Sequence, residues 1–125
     1  MNGRETTRIR IFRKGNGLVQ VDPAPAILKS EQDFTIVNTT DEAAALGYDP
    51  DAIKPKAATD AAIEEKYGAK IRATLAARAL TSIPAHDSRV FTANGAPRYT
   101  EFEVMLLPTG HCAEGASKPG AIIDP

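Results

Sequence analysis

Residues 18–41 read LVQVDPAPAILKSEQDFTIVNTTD, and the way this stretch divides decides the fold. Val19 and Val21 alternate with Gln20 and Asp22, the period of a strand with one buried face. Pro23 and Pro25 remove two backbone donors, so no central strand runs through residues 22–26. A helix opening at Ala24 is disfavoured because Pro25 restricts the residue before it. After the polar run Lys29, Ser30, Glu31, Gln32, Phe34 and Ile36 point one way and Thr35 and Val37 the other, and Asn38, Thr39, Thr40 and Asp41 supply a stop. The stretch is read as two strands joined by a proline-broken crossover.

Upstream, TRIRIFRK (7–14) sets Ile9 and Ile11 against Arg8 and Arg10, and Gly15-Asn16-Gly17 is a turn whose residues tolerate positive φ. Strands at about 7–14 and 18–22 are therefore expected to form an antiparallel hairpin. Downstream, Asp41, Glu42 and Gly47 predict a helix of one or two turns over 41–47, and Pro50 and Pro55 place a loop at 48–56. A long helix is predicted over 60–80, capped by Thr59, with Ile63, Tyr67, Ile71 and Leu75 on one apolar stripe. Its acidic first half and basic second half suit the helix dipole, and Pro84 marks the end. SRVFTA (88–93) is a short strand, and 94–97 turns the chain into RYTEFEVMLL, one long strand with Thr100, Phe102, Val104 and Leu106 inward. Residues 120–124 form a terminal strand.

The bulk numbers suit one domain over 1–125. At 125 residues, with 42% hydrophobic and 25% charged side chains, the composition is that of an ordinary globular chain. No apolar run is long enough to span a bilayer, and a single cysteine, Cys112, permits no intrachain disulfide, so a cytoplasmic location is expected. A net charge of −1 argues against a general polyanion binder. The charge is uneven: residues 1–30 carry six basic and two acidic side chains, residues 31–65 two basic and nine acidic. The whole predicts a mainly β, antiparallel Greek-key sandwich of six to seven strands, with a helical insertion at 41–84. The alternative is an α+β fold with the helix packed on one antiparallel sheet.

This layout resembles the cupredoxin-like β-sandwich: a strand, a proline-containing crossover, a polar turn, then an apolar strand ending in Asn38, with a helical insertion and a late pair FEVMLL and AIID. Immunoglobulin-like sandwiches match nearly as well, except that their paired cysteines and core tryptophan are missing. The resemblance implies a copper site built from a histidine after the Asn-ended strand and Cys, His and Met on a late loop. This chain departs from it. Residues 39–45 hold no histidine, and His111-Cys112 is followed by neither histidine nor methionine. A copper-free relative, with no cofactor, is the expectation.

Other chemistries find little footing. His111 and Cys112 are adjacent, and neighbours on an extended chain point apart, so a Cys–His couple would need His86 instead. His86, Asp87 and Ser88 are consecutive, whereas a triad is assembled in space. Two histidines and one cysteine lack zinc-site spacing, and no glycine-rich phosphate loop opens a helix. If a metal or thiol site exists, it uses His86, His111 and Cys112. Arg8, Arg10, Arg13 and Lys14 could track phosphates along the hairpin, with Phe12 or Tyr99 stacking a base; protection of a strand edge is the preferred reading of the same charges, since Arg10 and Arg13 lie on opposite faces of a regular strand. The leading expectation is a non-enzymatic protein acting by protein–protein contact or self-association, with the polar helix face and the tail 113–120 as first places for a partner.

Overall fold

The computed structural model describes residues 7–15, 17–56, 61–76, 79–94, 98–113 and 120–124. Among these the chain forms eleven strands and one helix: β1 (Thr7–Arg13), β2 (Val19–Asp22), β3 (Ala26–Lys29), β4 (Asp33–Asn38), β5 (Ala43–Tyr48), β6 (Ile53–Pro55), α1 (Ala61–Thr74), β7 (Ala79–Ile83), β8 (Ser88–Ala93), β9 (Arg98–Glu101), β10 (Glu103–Leu107) and β11 (Gly120–Asp124). A five-stranded sheet runs β2-β1-β4-β8-β6, and two three-stranded sheets run β10-β5-β7 and β3-β11-β9. The fold is mainly β and sandwich-like, with one helix, as the alternation predicts. The strands are more numerous than six or seven.

The N-terminal hairpin forms in the expected register, with Arg10 opposite Asp22 and Phe12 opposite Gln20. The prolines do break the crossover, but a further strand, β3, starts at Ala26 and pairs parallel with β11. A second parallel pairing joins β1 to β4, Ile9 beside Ile36, and the remaining pairings are antiparallel. One core cluster draws Ile9, Ile11, Phe34 and Phe91 from the five-stranded sheet, Leu46, Val104 and Leu106 from one smaller sheet, and Leu28, Ala121 and Ile123 from the other. Phe34 and Phe91 stack at 5.8 Å, and Tyr48 meets Phe91 edge-on.

Three expectations are corrected. Residues 41–47 are not helical: Ala43–Tyr48 is β5, central in its sheet. Its alanines look helical because the strand is apolar on both faces, Ala44 and Leu46 turned to the main core and Ala45 to a second cluster under the helix. The loop at 48–56 contains β6, which pairs with β8. The helix ends at Thr74 rather than 80, and Leu80 belongs to β7, which pairs with β5. The 41–84 stretch is thus helix in its middle only.

RYTEFEVMLL is also not one strand. It breaks at Phe102, where the chain passes from the β3-β11-β9 sheet to the β10-β5-β7 sheet. Thr100, Phe102, Val104 and Leu106 are buried as expected, but so are Met105 and Leu107, because α1 covers the second face of β10. The stripe Ile63, Tyr67, Ile71 and Leu75 supplies that cover. The proposed cap Thr59, Asn16, the turn residues 95–97 and the tail residues 114–119 lie outside the described residues.

Candidate functional site

Asn38, the last residue of β4, is fully buried and organises one end of the sandwich. Its amide donates to the carbonyl of Glu42 at 2.7 Å and to those of Ile83 and Pro84. Its oxygen accepts from the Thr40 amide and hydroxyl. Buried polar groups must find partners, and Asn38 finds them in two segments, which fixes the β4–β5 loop against the end of β7.

That loop meets β1 and the late loop at a polar clamp. Arg13 ends β1 on its inward-facing side, where Nη2 pairs with Glu42 and donates to the Thr109 hydroxyl at 3.3 Å. Its Nη1 donates to the Gly17 carbonyl at 2.6 Å and faces His111 Nδ1 at 3.1 Å, a contact that needs the neutral ring with its proton on Nε2. Glu42 also accepts from the Thr109 amide at 3.0 Å and hydroxyl at 3.1 Å. Burial pushes the Glu42 carboxyl up, but the hydrogen bonds from Arg13 and Thr109 outweigh it and hold the carboxyl below its ordinary range. Beside the clamp, Phe12, Arg13, Thr39, Thr40, Asp41 and Glu42 line a shallow depression of about 290 Å³.

Both histidines touch residues of this depression, on different partners. His86 Nε2 lies 2.5 Å from Asp41, and His111 lies on Arg13. Cys112 turns away: its thiol donates to the Gly110 carbonyl at 3.7 Å and packs with Met105 beneath the helix, in a lone bridge that folds the late loop back along β10. The donor set does not fit copper. Arg13, a permanent cation that cannot ligate, sits where the Asn-ended strand and late loop converge, and among the described residues no three His, Cys, Asp or Glu side chains are grouped to hold a metal ion.

The four basic hairpin residues do not form one patch. Arg8 and Arg10 are exposed on the outer face of the five-stranded sheet, where Arg10 lies 5.2 Å over the Phe12 ring and 3.7 Å from Asp22. Arg13 is spent on Glu42, and Lys14 is at the turn. Phe12 and Tyr99 lie on different sheets.

Sequence reasoning missed Glu42, Thr109 and Asp41, reading Glu42 as a helix start. Nothing local in the sequence marks them, because residues 39–45 and the late loop meet only once the sheets have stacked.

A different surface stands out on the β3-β11-β9 sheet. Ile27 pairs in register with Ile122, and Ile122 with Tyr99, so the three form one row across adjacent strands. Ile27 is 66% and Tyr99 54% exposed, with Ile122 half-buried between them. Exposed apolar side chains scattered singly are normal; three abreast on strands about 4.8 Å apart make a contiguous patch. Among the described residues no helix is long and apolar enough to cross a membrane. Compared with protein-family models the chain matches none, and it matches no curated protein.

Proposed function

We propose that this protein is a non-enzymatic module of the cytosol that works by contact with another protein, through the outward face of the β3-β11-β9 sheet. The observation that carries this reading is the row Ile27, Ile122 and Tyr99, three apolar side chains side by side on one sheet face, whereas Leu18 and Val90, the other exposed large apolar side chains among the described residues, lie on the five-stranded sheet side. The clamp at the opposite chemistry supports it from the other side: Arg13, Glu42 and Thr109 satisfy one another and hold loops together, which is a structural task. The same reading takes the chain as a copper-free relative of the cupredoxin-like sandwiches. In its favour, the two segments where that family carries copper ligands do meet, at Glu42 and Thr109, with an arginine between them.

The test is affinity capture with the full chain beside its Ile27→Asp and Tyr99→Asp variants. Both side chains are already exposed, so the variants stay folded, as circular dichroism will verify. Proteins held by the wild type and lost from both variants are the expected result. Capture that ignores these substitutions, or that follows Arg8→Glu/Arg10→Glu and falls steeply with salt, overturns it.

A further inference from the structure

We infer that the partner engages this face by adding a short extended segment beside β3; this rests on the contact reading above and names the form in which the partner arrives. β3 is the end strand of its sheet, and among the described residues its one ladder is with β11. The Lys29 N–H is taken by the turn that follows β3, where it donates to the Gln32 side-chain carbonyl at 2.8 Å. Backbone N–H groups two residues apart on a strand point the same way. The Ile27 N–H therefore points to the outer edge as well, beside the most exposed large apolar side chain among the described residues. Other edges are closed or broken. On β10 the late loop covers the outer side, with the Leu106 N–H donating to the His111 carbonyl at 2.8 Å and the Ala113 N–H to the Val104 carbonyl at 3.0 Å. β6 is three residues long and ends on Pro55, which has no N–H.

A backbone donor at the end of an apolar row selects its occupant. A helix bonds its own amides internally, so it could cover the side chains but leave the N–H unmatched. An extended segment does both. It accepts the Ile27 N–H, donates to the Ile27 carbonyl, and sets one of its own side chains level with Ile27, about 4.8 Å further out. With an apolar residue there, the row Tyr99, Ile122, Ile27 gains a fourth member. The ladder centres on Ile27, because Pro25 stands before Ala26 and the Lys29 N–H is already used. Its shortness and the exposed Lys29 side chain guard the edge against open-ended stacking while leaving room for one short strand.

Amide-resolved NMR of the full chain tests this, with the capped peptide Lys-Thr-Val-Thr-Val-Lys as probe, its apolar residues alternating. A counterpart N-methylated at both central residues lacks a donor on each edge. The expected result is weak, saturable binding of the first peptide, as befits so short a pairing, with the largest amide shifts over Ala26–Lys29. Exchange of the Ile27 amide should slow by about tenfold at saturation, and the methylated peptide should bind about tenfold more weakly. Equal binding of the two peptides, shifts centred on another element, or no shift up to millimolar peptide overturns the inference. So do concentration-dependent shifts over β3 in the chain alone, which would make the occupant a second copy. If the peptide fails while Ile27→Asp and Tyr99→Asp still abolish capture, strand addition falls and the contact reading stands.

Discussion

Glu42 ties the end of β1 and the late loop to its own loop through one carboxylate, and its charge is what makes the join. Its carboxyl is held below the usual range, so the clamp stabilises the fold in full above the ordinary glutamate value of 4.5 and loses that contribution as pH falls through the lower, folded value. Glu42→Gln should cost about 1–2 kcal/mol at neutral pH, read as a lower urea midpoint, and should flatten the loss of stability below that value. The flattening will be partial. Asp33, bonded first by Lys56, and Asp87, bonded first by the Ser88 amide, are depressed in the same direction and survive in the variant. Parallel acid curves for the two proteins would remove the clamp from the account. A neighbouring residue gives a second test. Gly110 sits at φ +81° with Lys70 leaning over it, Nζ donating to the Pro108 carbonyl. Gly110→Ala should cost about 1–2 kcal/mol in the thermal midpoint converted to free energy, whereas Gly15→Ala, which meets nothing within 4 Å, should cost far less.

At the scale of elements, the β10-β5-β7 sheet is the one buried on both faces. Alternate residues of β5 and β10 go to the main core and to the helix cluster, so neither strand carries a polar face to mark its period. This is why AAALGY reads as helix and why a single inward set was expected for EVMLL. The helix is held by four side chains on one stripe, of which Ile71 is the most deeply buried. Ile71→Ala should destabilise by about 2–4 kcal/mol, and amide exchange should quicken over Ala61–Thr74 before it does in β1 or β4. Uniform exchange across the molecule would mean that the helix and sandwich unfold together. By contrast, β8 and the hairpin of β1 and β2 have one wet and one dry face, and their limits were legible to the residue or nearly so.

Across the whole molecule, the three sheets share one interior with Phe34, Phe91 and Tyr48 at its centre. Phe91→Ala should remove about 3–5 kcal/mol, a large part of what a domain of this size has; chemical denaturation measures it, and a loss below about 1 kcal/mol would put the core elsewhere. The Ile27, Ile122 and Tyr99 row belongs to this scale as well, since each residue alone is unremarkable in its strand.

Local pattern was enough for what depends on neighbours in the chain: the turn at Gly17, the proline break after Asp22, the stripe on α1, the stop at Asn38. These follow from backbone sterics and from period, which a short window contains. Only the tertiary structure decided that Glu42 meets Arg13 and Thr109, that β3 runs parallel to β11, and that three apolar residues separated by most of the sequence stand side by side in the open. Those facts are set by which surfaces cover which once the sheets have stacked, and no short stretch of chain carries that information.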